Sequence, residues 1–196
     1  MEHPVSKEFS ILEENIMNIS ISSIRTALTT AIKNNTHPFR YFTLATVNAI
    51  GVPYTRTVVL RNIDIDLIMT ICTDKRSRKI LHIEQQNKVS LLFLDPIKSI
   101  QLVIQAEAHI ITDDTILKDM WDQIPQSARK DYTTIVAPGK KIKTNTSIDF
   151  LEEKHFFSAI KLIPTTIEYL KLDRSGHIRI LFEKEYQKWK SNYLIP

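Results

Sequence analysis

The chain has 196 residues, a mass of 22.7 kDa and a formal net charge of +4 at pH 7, and 43% of its residues are hydrophobic. This size and composition predict a single globular domain with its own core, and they exclude an acidic disordered chain. Only three glycines occur, which excludes a phosphate site built on a glycine-rich loop. A bound phosphate would therefore be held mainly by side chains.

The single cysteine, Cys72, excludes an intrachain disulfide and a cysteine zinc site. Residues 1–10 lack the apolar core of a secretion signal, and no run of 18 apolar residues is present. These features predict a cytoplasmic protein that does not cross a membrane. No internal repeat or low-complexity segment is present.

A helix and three strands come first in chain order. Apolar residues at three- and four-residue spacings predict an amphipathic helix over residues 20–35, capped by Ser20 or Ser22. Strands follow at 41–47, 53–61 and 67–72, with turns at 48–51 and 62–66. Alternation places Arg56, Val58 and Leu60 on one face of the second strand and Thr55, Thr57, Val59 and Arg61 on the other.

A basic turn, Arg76-Ser77-Arg78-Lys79, follows the third strand and begins a short helix that ends at Asn87. Asp74 or Ser77 is the predicted cap of this helix. Cations at a helix N-terminus oppose the helix dipole, and a bound phosphate would remove that conflict. The alternative interpretation is a solvated basic turn without a ligand.

The remaining pattern predicts strands at 89–94 and 100–112, helices at 113–124 and 126–135, an exposed basic loop at 138–141, and strands at 156–163, 166–172 and 178–182. The fold class is therefore mainly β (α+β), a small antiparallel barrel with peripheral helices. The predicted organisation is a helical arm at 1–38, barrel strands at 39–112, a helical and loop insert at 113–155 and C-terminal strands at 156–196.

Several polar side chains on the strands are candidates for ligand binding. Arg56 and Arg61 could serve two ends of one extended ligand, because arginine binds phosphate through two parallel hydrogen bonds. Gln101 could recognise a heterocycle, and His177 with Arg179 could face an anionic substrate. Taken alone, each of these residues is more often a solvated surface position than a ligand-binding residue. The histidines show no metal-ligand spacing, so no metal is predicted.

Together these segments resemble the pyridoxamine 5′-phosphate oxidase family of FMN-binding split barrels, in family order from about residue 39 to residue 196. The flavin strand is matched by Arg-Thr-Val-Val-Leu-Arg at 56–61, and the phosphate-gripping segment by Thr73 followed by Ser77-Arg78-Lys79. A barrel strand at 89–93, Gln101, Ile-Glu-Tyr at 167–169, His-Ile-Arg at 177–179 and the closing Trp189 with Leu-Ile-Pro at 194–196 complete the set.

The resemblance implies a homodimer with FMN at the subunit interface and a small-molecule substrate, with or without a phosphate. Arg56, Arg76, Arg78 and Lys79 would bind the flavin phosphate with Thr73 and Ser77. Residues Thr57, Val58, Val59, Leu60 and Cys72 would line the flavin ring, Gln101 would contact its polar edge, and Arg179 would complete the cofactor site. The substrate would meet Arg61, which also belongs to the cofactor set, together with His177, Arg129 and Tyr132.

The chain departs from the family pattern where the authentic oxidases hold the substrate phosphate with a Tyr/Arg/Ser set. Arg129 and Tyr132 are present, but in a different spacing and order. A family tryptophan is Leu170, a family arginine is Ser175, and Arg61 stands where a lysine is more usual. The resemblance therefore implies an FMN-dependent oxidoreductase more directly than it implies a particular substrate.

The leading hypothesis is oxidation of an amine or alcohol with oxygen as the electron acceptor. The first alternative is an NAD(P)H-dependent flavin reductase. The second is a non-catalytic FMN- or haem-binding stress protein on the same barrel. A basic nucleic-acid-binding barrel is disfavoured, because the net charge is small and the strands lack a repeated aromatic stacking set.

Overall fold

A computed structural model describes residues 19–144, 148–186 and 188–196. Residues 1–18 of the predicted helical arm lie outside the described residues. The helices are α1 (Ile21–Lys33), α2 (Arg78–Gln85), α3 (Asp114–Asp122) and α4 (Gln126–Arg129), with 3₁₀ turns at Pro38–Arg40 and Lys130–Tyr132. The strands are β1 (Tyr41–Val47), β2 (Pro53–Val59), β3 (Asn62–Ile63), β4 (Met69–Asp74), β5 (Lys88–Asp95), β6 (Ile100–Ile110), β7 (Phe157–Lys171), β8 (Ile178–Glu185) and β9 (Lys188–Leu194).

All strand pairs are antiparallel, and the sheet follows the order β2-β1-β5-β6-β7-β4-β3, with β8 on β7 and β9 on β8. Its two ends, β2 and β3, are consecutive in the chain. Only Leu60 and Arg61 lie between them, and the Arg61 N–H donates to the Thr70 carbonyl at 2.9 Å. The backbone itself therefore closes the sheet into a barrel at Arg61.

Strand β7 is the longest strand and pairs with three others. One edge pairs with β6, while the other edge pairs first with β4 and then with β8. A register shift lies opposite Gln105 and Ala106, where Pro164 interrupts the donors of β7 and Thr165 is the extra residue. The Thr165 hydroxyl donates to the Gln105 carbonyl at 3.1 Å. Such a bulge lets a strand that contains proline remain continuous.

The barrel interior holds the main core. Fully buried side chains from almost every strand fill it, and Phe93 stacks on Phe42 with ring centroids 4.4 Å apart. Helix α1 covers one side through Ile24, Leu28 and Ala31, and reciprocal hydrogen bonds between Ser20 and Ser23 cap it. A second, smaller core forms outside β4 and β7, where α3 packs against Ile111, Tyr132, Phe157 and Ala159.

The predicted mainly β architecture with peripheral helices is confirmed, and several boundaries differ. The two strands predicted at 156–163 and 166–172 are one strand, because the bulge absorbs Pro164. The helix predicted over 126–135 ends earlier, at Tyr132. Strand β9 was not predicted, because its polar sequence lacks an apolar alternation and only Trp189 packs on the core. In the described residues no helix is long and apolar enough to cross a membrane.

Candidate functional site

Strand β4 separates two regions that could bind a ligand. Met69 and Ile71 face the barrel core, and Thr73 follows them on the same face because side chains alternate along a strand. Cys72 faces the other way, into the smaller core. The cationic cluster is the set Arg56, Thr73, Ser77, Arg78 and Lys79, in which the charge of Arg56 acts on Lys79 and the charges of Arg56 and Arg78 act on the neighbouring His82. The α3 pocket is the cavity of about 490 Å³ beside Cys72, between β4 and α3.

Hydrogen bonds join three members of the cationic cluster, Thr73, Ser77 and Lys79. The Lys79 ammonium donates to the Thr73 hydroxyl at 2.7 Å and to the Ser77 hydroxyl at 3.2 Å, and the two hydroxyls are 3.1 Å apart. Thr73 and Ser77 are both buried. Ser77 is the N-cap residue of α2, yet its side chain makes no capping bond. The first N–H groups of α2 are thus left for another acceptor at the same place.

A buried relay holds Arg56 beside this cluster. Its guanidinium donates to the Leu44 carbonyl at 3.1 Å and to the Thr46 hydroxyl at 2.8 Å. Thr46 lies 2.9 Å from Nδ1 of His82. Burial, helped by the charges of Arg56 and Arg78, lowers the pKa of His82, so the ring is neutral at pH 7. The Thr46 hydroxyl accepts from Arg56 and also hydrogen-bonds Nδ1 of His82, and these contacts fix the guanidinium.

The cluster is electrostatically unbalanced. Burial, and next the charge of Arg56, lower the pKa of Lys79 to about 8, against the opposing effect of Asp74. Within the described ranges no carboxylate lies within 4 Å of the cationic groups of Arg56, Arg78 or Lys79. Two buried hydroxyls and a helix N-terminus beside crowded cations fit a phosphate dianion, which would stabilise all of them. The residues present thus fit the phosphate end of FMN.

Arg76, predicted with this set, has other partners. It forms a two-point ion pair with Asp74, with NH2–Oδ2 at 2.6 Å and Nε–Oδ1 at 3.1 Å, and its guanidinium lies 3.3 Å from the ring centroid of Phe156. It also donates to the carbonyls of Thr134 at 2.8 Å and Ile135 at 3.0 Å. Arg76 therefore anchors the loop after Tyr132 and occupies the nearest carboxylate.

Arg61, Cys72 and Tyr132 meet on the other face of β4. Arg61 and Cys72 line the α3 pocket, and the buried Tyr132 lies behind them. Burial raises the pKa of the Cys72 thiol to about 11, with Arg61 opposing the shift. Burial, reinforced by Cys72, raises the pKa of Tyr132 to about 12, and Arg61 again opposes it. Both side chains are thus protonated at neutral pH, and Arg61 is the charged group beside them.

Arg129, predicted to bind substrate, is directed at the end of α3. Its Nε donates to the Ile124 carbonyl at 3.1 Å, and its NH2 donates to the carbonyls of Trp121 at 3.2 Å and Asp122 at 3.3 Å. The guanidinium also lies over the Trp121 ring, 4.9 Å from the centroid. These contacts satisfy carbonyls that a helix end leaves without partners.

Gln101 and Arg179 lie at the far end of the sheet. Both are in register with Leu170 of β7, and the Arg179 Nε donates to Glu168 at 3.0 Å. Thr73 pairs with Ser158, which is 12 residues away from Leu170 along β7. The path along β7 is roughly 40 Å, but the path across β1 and β5 is shorter, because Arg56 pairs with Leu44, Leu44 with Leu91 and Leu91 with Ile104, three positions from Gln101. His177 sits in the turn before β8, where its Nδ1 accepts from the Asp173 N–H at 3.2 Å. In the described residues no hydrogen bond or ion pair joins Gln101, His177 or Arg179 to the cationic cluster.

The flavin strand of the sequence interpretation is the edge strand β2. In the described sheet β2 pairs only with β1. Alternate backbone groups from Thr57 to Val59 are therefore free along its outer edge. Thr57 is exposed and Val59 half-buried, while Val58 and Leu60 point into the core. Backbone atoms on this edge are available to a flat ligand, whereas the side chains of Val58 and Leu60 are not.

Sequence reasoning missed the residues that support the site. The relay from Thr46 to His82 spans 36 positions, and no local pattern marks it. The apolar residues of α3 that face the pocket were visible as a four-residue spacing, but without the fold their direction was unknown. Among the described residues no three His, Cys, Asp or Glu side chains gather as a metal site.

Comparison with known proteins agrees with this geometry. Residues 22–112 match the family model of the pyridoxamine 5′-phosphate oxidase FMN-binding domain. The chain is 26% identical to the pyridoxine/pyridoxamine 5′-phosphate oxidase of Vibrio vulnificus, over 93% of this chain and 92% of that protein. It is 28% identical to the enzyme of that name from Blochmanniella floridana, over 78% of this chain and 77% of that protein.

Two solved structures have a similar fold. A pyridoxamine 5′-phosphate oxidase-related, FMN-binding protein from Nostoc punctiforme superposes with a TM-score of 0.74 at 26% identity, over 90% of this chain and 97% of that one. PhzG from Burkholderia lata, solved with tetrahydrophenazine-1-carboxylic acid, has a TM-score of 0.75 at 18% identity, over 90% and 92%, and shows the fold alone. The family resemblance, the split-barrel fold and the FMN-binding domain predicted from the sequence are confirmed.

Proposed function

We propose that this chain, whose residues 22–112 form an FMN-binding domain of the pyridoxamine 5′-phosphate oxidase family, is an FMN-dependent oxidoreductase that oxidises an amine or alcohol. The observation that carries the proposal is the cationic cluster. Its cations have no carboxylate within 4 Å in the described residues, and its two buried hydroxyls face the same point. A phosphate is the anion that such a set would bind.

Each part of the chain has a role in this proposal. Arg56, Arg78 and Lys79 neutralise the cofactor phosphate, and Thr73 and Ser77 donate hydrogen bonds to it. When bound, FMN would supply the redox chemistry, which is acceptance of a hydride equivalent from the amine- or alcohol-bearing carbon as the substrate loses a proton, and transfer of two electrons with two protons to oxygen to give hydrogen peroxide. The free edge of β2 and the Cys72 side of β4 position the flavin ring, and the α3 pocket holds the substrate beside it.

A second copy of the chain completes the site in the proposal. Gln101, His177 and Arg179 make no hydrogen bond or ion pair with the cationic cluster of their own chain in the described residues. A homodimer in which each chain lends Gln101, His177 and Arg179 to its partner's FMN accounts for all of them. Exposed apolar residues such as Leu92 and Leu94 on the neighbouring strand β5 are consistent with that interface.

Absorption spectroscopy and FMN titration test the cofactor assignment. The purified protein should be yellow or should take up FMN stoichiometrically. Arg78→Ala should weaken FMN binding by about 1.5–3 kcal/mol, the scale of a charge-assisted hydrogen bond. Lys75→Ala, an exposed lysine on the same turn, is the matched control and should bind FMN normally. Unchanged affinity in Arg78→Ala would contradict the phosphate assignment.

Anaerobic bleaching tests the reaction. An amine or alcohol substrate should reduce the bound flavin, and admission of oxygen should restore its absorbance and release one equivalent of hydrogen peroxide. Bleaching by NADPH alone would indicate a flavin reductase. A flavin that no reductant of either kind bleaches would indicate a binding protein without oxidase activity.

Mixed dimers test whether the site is shared between chains. Arg78→Ala and Arg179→Ala each remove one residue of the proposed site. If each site combines Arg78 of one chain with Arg179 of the other, a heterodimer of the two variants contains one intact site and one doubly defective site. FMN affinity should then return to the wild-type value at half of the sites. If both residues served the same chain's site, mixing would restore none.

A further inference from the structure

Arg56 belongs to a different part of the fold from the other cations of the cationic cluster. Residues 77–79 cap and begin α2, whereas Arg56 lies on the edge strand β2. In the described residues no hydrogen bond runs directly from Arg56 to α2, because its guanidinium donates only to the Leu44 carbonyl and the Thr46 hydroxyl of β1. The position of Arg56 relative to the helix is therefore set through other residues.

The relay of Thr46 and His82 connects Arg56 to α2. The Thr46 hydroxyl accepts from NH1 of Arg56 at 2.8 Å and lies 2.9 Å from Nδ1 of His82. His82 is on α2, about one helical turn after Arg78. Across the strand pair Thr46 lies opposite Tyr54, whose ring packs on the His82 imidazole with centroids 4.9 Å apart. The relay therefore joins β1, β2 and α2 at one place.

The two residues of the relay are buried polar groups. The exposed fraction is 0% for Thr46 and 7% for His82, so Thr46 is out of reach of a ligand at the surface. Buried polar groups are kept in a core by their hydrogen bonds. A neutral imidazole presents Nδ1 as an acceptor or as an N–H donor, and a hydroxyl complements either form while it still accepts from a guanidinium. The relay therefore does not depend on which tautomer is present.

The anchored guanidinium keeps one edge free. Both hydrogen bonds of Arg56 use NH1, so Nε and NH2 make no hydrogen bond to the described residues. Two parallel N–H donors of this kind are the group with which arginine binds a phosphate. Because the other nitrogen is held by β1, the free edge points in a fixed direction. Binding of a phosphate then does not include the entropy cost of ordering a long side chain.

We propose that Thr46 and His82 are positioning residues for the cofactor phosphate, which hold Arg56 of β2 in place beside the N-terminus of α2. The inference rests on the proposed function, because it takes the cationic cluster as the site of the FMN phosphate. Thr46 and His82 act through Arg56 and do not bind the cofactor themselves. Loss of the Thr46 hydroxyl should therefore weaken the contribution of the phosphate to binding and leave the contribution of the flavin ring unchanged.

Substitution of Thr46 tests the relay. Thr46→Val keeps the size of the side chain without its hydroxyl and should bind FMN about three- to tenfold more weakly, the cost of ordering one long side chain on binding. Thr46→Ser keeps the hydroxyl and should bind FMN within about twofold of wild type. Fluorescence titration measures the dissociation constants, and thermal melts show whether the FMN-free variants are folded. Unchanged affinity in folded Thr46→Val, or an equal loss in Thr46→Ser, would overturn the inference.

Two further measurements separate positioning from a general loss of structure. Riboflavin lacks the phosphate, so its affinities for Thr46→Val and wild type should agree within about twofold. In an Arg56→Met background Thr46→Val should cause no further loss of FMN affinity, because the residue through which it acts is gone. Parallel losses for FMN and riboflavin, or a full additional loss in the Arg56→Met background, would each contradict a positioning role.

His82 gives the same test from the helix side if Thr46→Val does not fold. His82→Gln keeps a hydrogen-bonding group and should bind FMN nearly as wild type does, whereas His82→Leu removes the group and should show the loss. Leu81→Gln, at an exposed neighbouring position of α2, is the matched control and should change neither FMN affinity nor the melting temperature. Equal FMN affinity in His82→Gln and His82→Leu would overturn the inference.

The outcomes separate this inference from the proposed function. If Arg56→Met and Arg78→Ala both bind FMN as wild type does, the phosphate does not lie at the cationic cluster and the proposed site is refuted. If both bind FMN more weakly while folded Thr46→Val and His82→Leu do not, the phosphate site stands and the positioning role alone is refuted. FMN binding is measured without turnover, so an inactive preparation still gives an answer.

Discussion

The two faces of β4 carry regions of opposite character, although their residues alternate along one strand. Thr73 contributes to a cluster of cations and hydroxyls, whereas its neighbour Cys72 borders a cavity with an apolar wall. The cluster is built from residues 73–79 together with Arg56. The α3 pocket draws its lining from β3, β4, β7, α3 and α4. The two faces of one strand thus carry a compact cluster of cations and hydroxyls on one side and a cavity with both cationic and apolar lining residues on the other.

The comparison teaches that arginine is used in two different ways in this chain. Arg56 and Arg78 have no carboxylate within 4 Å in the described residues, while Arg76 is paired with Asp74 and two loop carbonyls, and Arg129 donates through Nε and NH2 to three carbonyls at the end of α3. Only the first kind is available to an incoming phosphate. The number of arginines near a cavity is therefore a poor guide to its ligand, and the partners of each guanidinium decide.

The largest effect is expected from a substitution that removes a charge from the cationic cluster. Lys79→Met removes one of the charges that meet at Thr73 and should weaken FMN binding by about 1.5–3 kcal/mol, or roughly 10- to 150-fold. The same variant should stabilise the FMN-free protein, because it replaces a partly buried cation whose pKa is already lowered. Fluorescence titration of FMN and thermal melts of the FMN-free protein measure the two effects.

Lys75→Met is the matched control for that prediction, because Lys75 is exposed on the same turn. It should change neither quantity measurably. If Lys79→Met destabilised the FMN-free protein and left FMN affinity unchanged, Lys79 would be a structural residue and the cluster would not be a phosphate site.

The second largest effect is expected from a substitution of Arg129 at the end of α3. Arg129→Ala removes three hydrogen bonds from a charged donor group to the end of α3 and should lower the free energy of unfolding by about 1–3 kcal/mol. FMN affinity below the melting transition should stay within about twofold of wild type. Lys130→Ala, an exposed neighbour, serves as the control. A large loss of substrate or FMN binding in a stable Arg129→Ala protein would mean that Arg129 belongs to the ligand site.

The cationic cluster could be predicted from the sequence because its contacts are local. Thr73, Ser77 and Lys79 lie within six positions of one another, and three cations at a helix start conflict with the helix dipole unless an anion is present. The strands were also predictable, since apolar alternation marks each of those that face the core on one side. Strand β9 could not be predicted in this way, because it is an edge strand with a polar sequence.

The α3 pocket could not be predicted, because its lining comes together from distant parts of the chain. Arg61 and Lys161 are a hundred positions apart, yet they line one cavity because β3, β4 and β7 are neighbours. The hydrogen bonds of Arg76 could not be predicted either, since its partner carbonyls at Thr134 and Ile135 lie 58 and 59 positions away. Local periodicity carries no information on such pairings.

The pH dependence of FMN affinity tests the cationic cluster further, and its expected effect is smaller than that of the substitutions above. The pKa of Lys79 in the FMN-free protein is about 8, below its ordinary value of 10.5. Bound phosphate should raise it again, so the complex holds a proton above pH 8 that the free protein has lost. FMN affinity should therefore fall as pH rises above about 8, by at most about tenfold per pH unit.

The lowered pKa of Lys79 affects the stability of the FMN-free protein in the opposite direction, since the free energy of unfolding rises with pH where FMN affinity falls. Between about pH 8 and 10.5 the unfolded chain holds the Lys79 proton more strongly than the folded, FMN-free protein does, so the free energy of unfolding contributed by Lys79 rises with pH in that window. Calorimetry in buffers of different ionisation enthalpy should detect proton uptake on FMN binding at pH 9. Lys79→Met should abolish it, and uptake that persists in this variant would assign the proton to another group.

The smallest expected effect lies on the pocket side of β4. The Cys72 thiol has a pKa raised to about 11, so only about 0.1% of it is thiolate at pH 8. Alkylation of the folded protein by iodoacetamide should therefore be far slower than alkylation of the same protein in denaturant. Cys72→Ser should leave FMN affinity within about twofold of wild type, because the thiol carries no charge toward the cofactor. Rapid alkylation of the folded protein would instead mean that Cys72 is a thiolate, and the α3 pocket would then hold a negative charge beside Arg61.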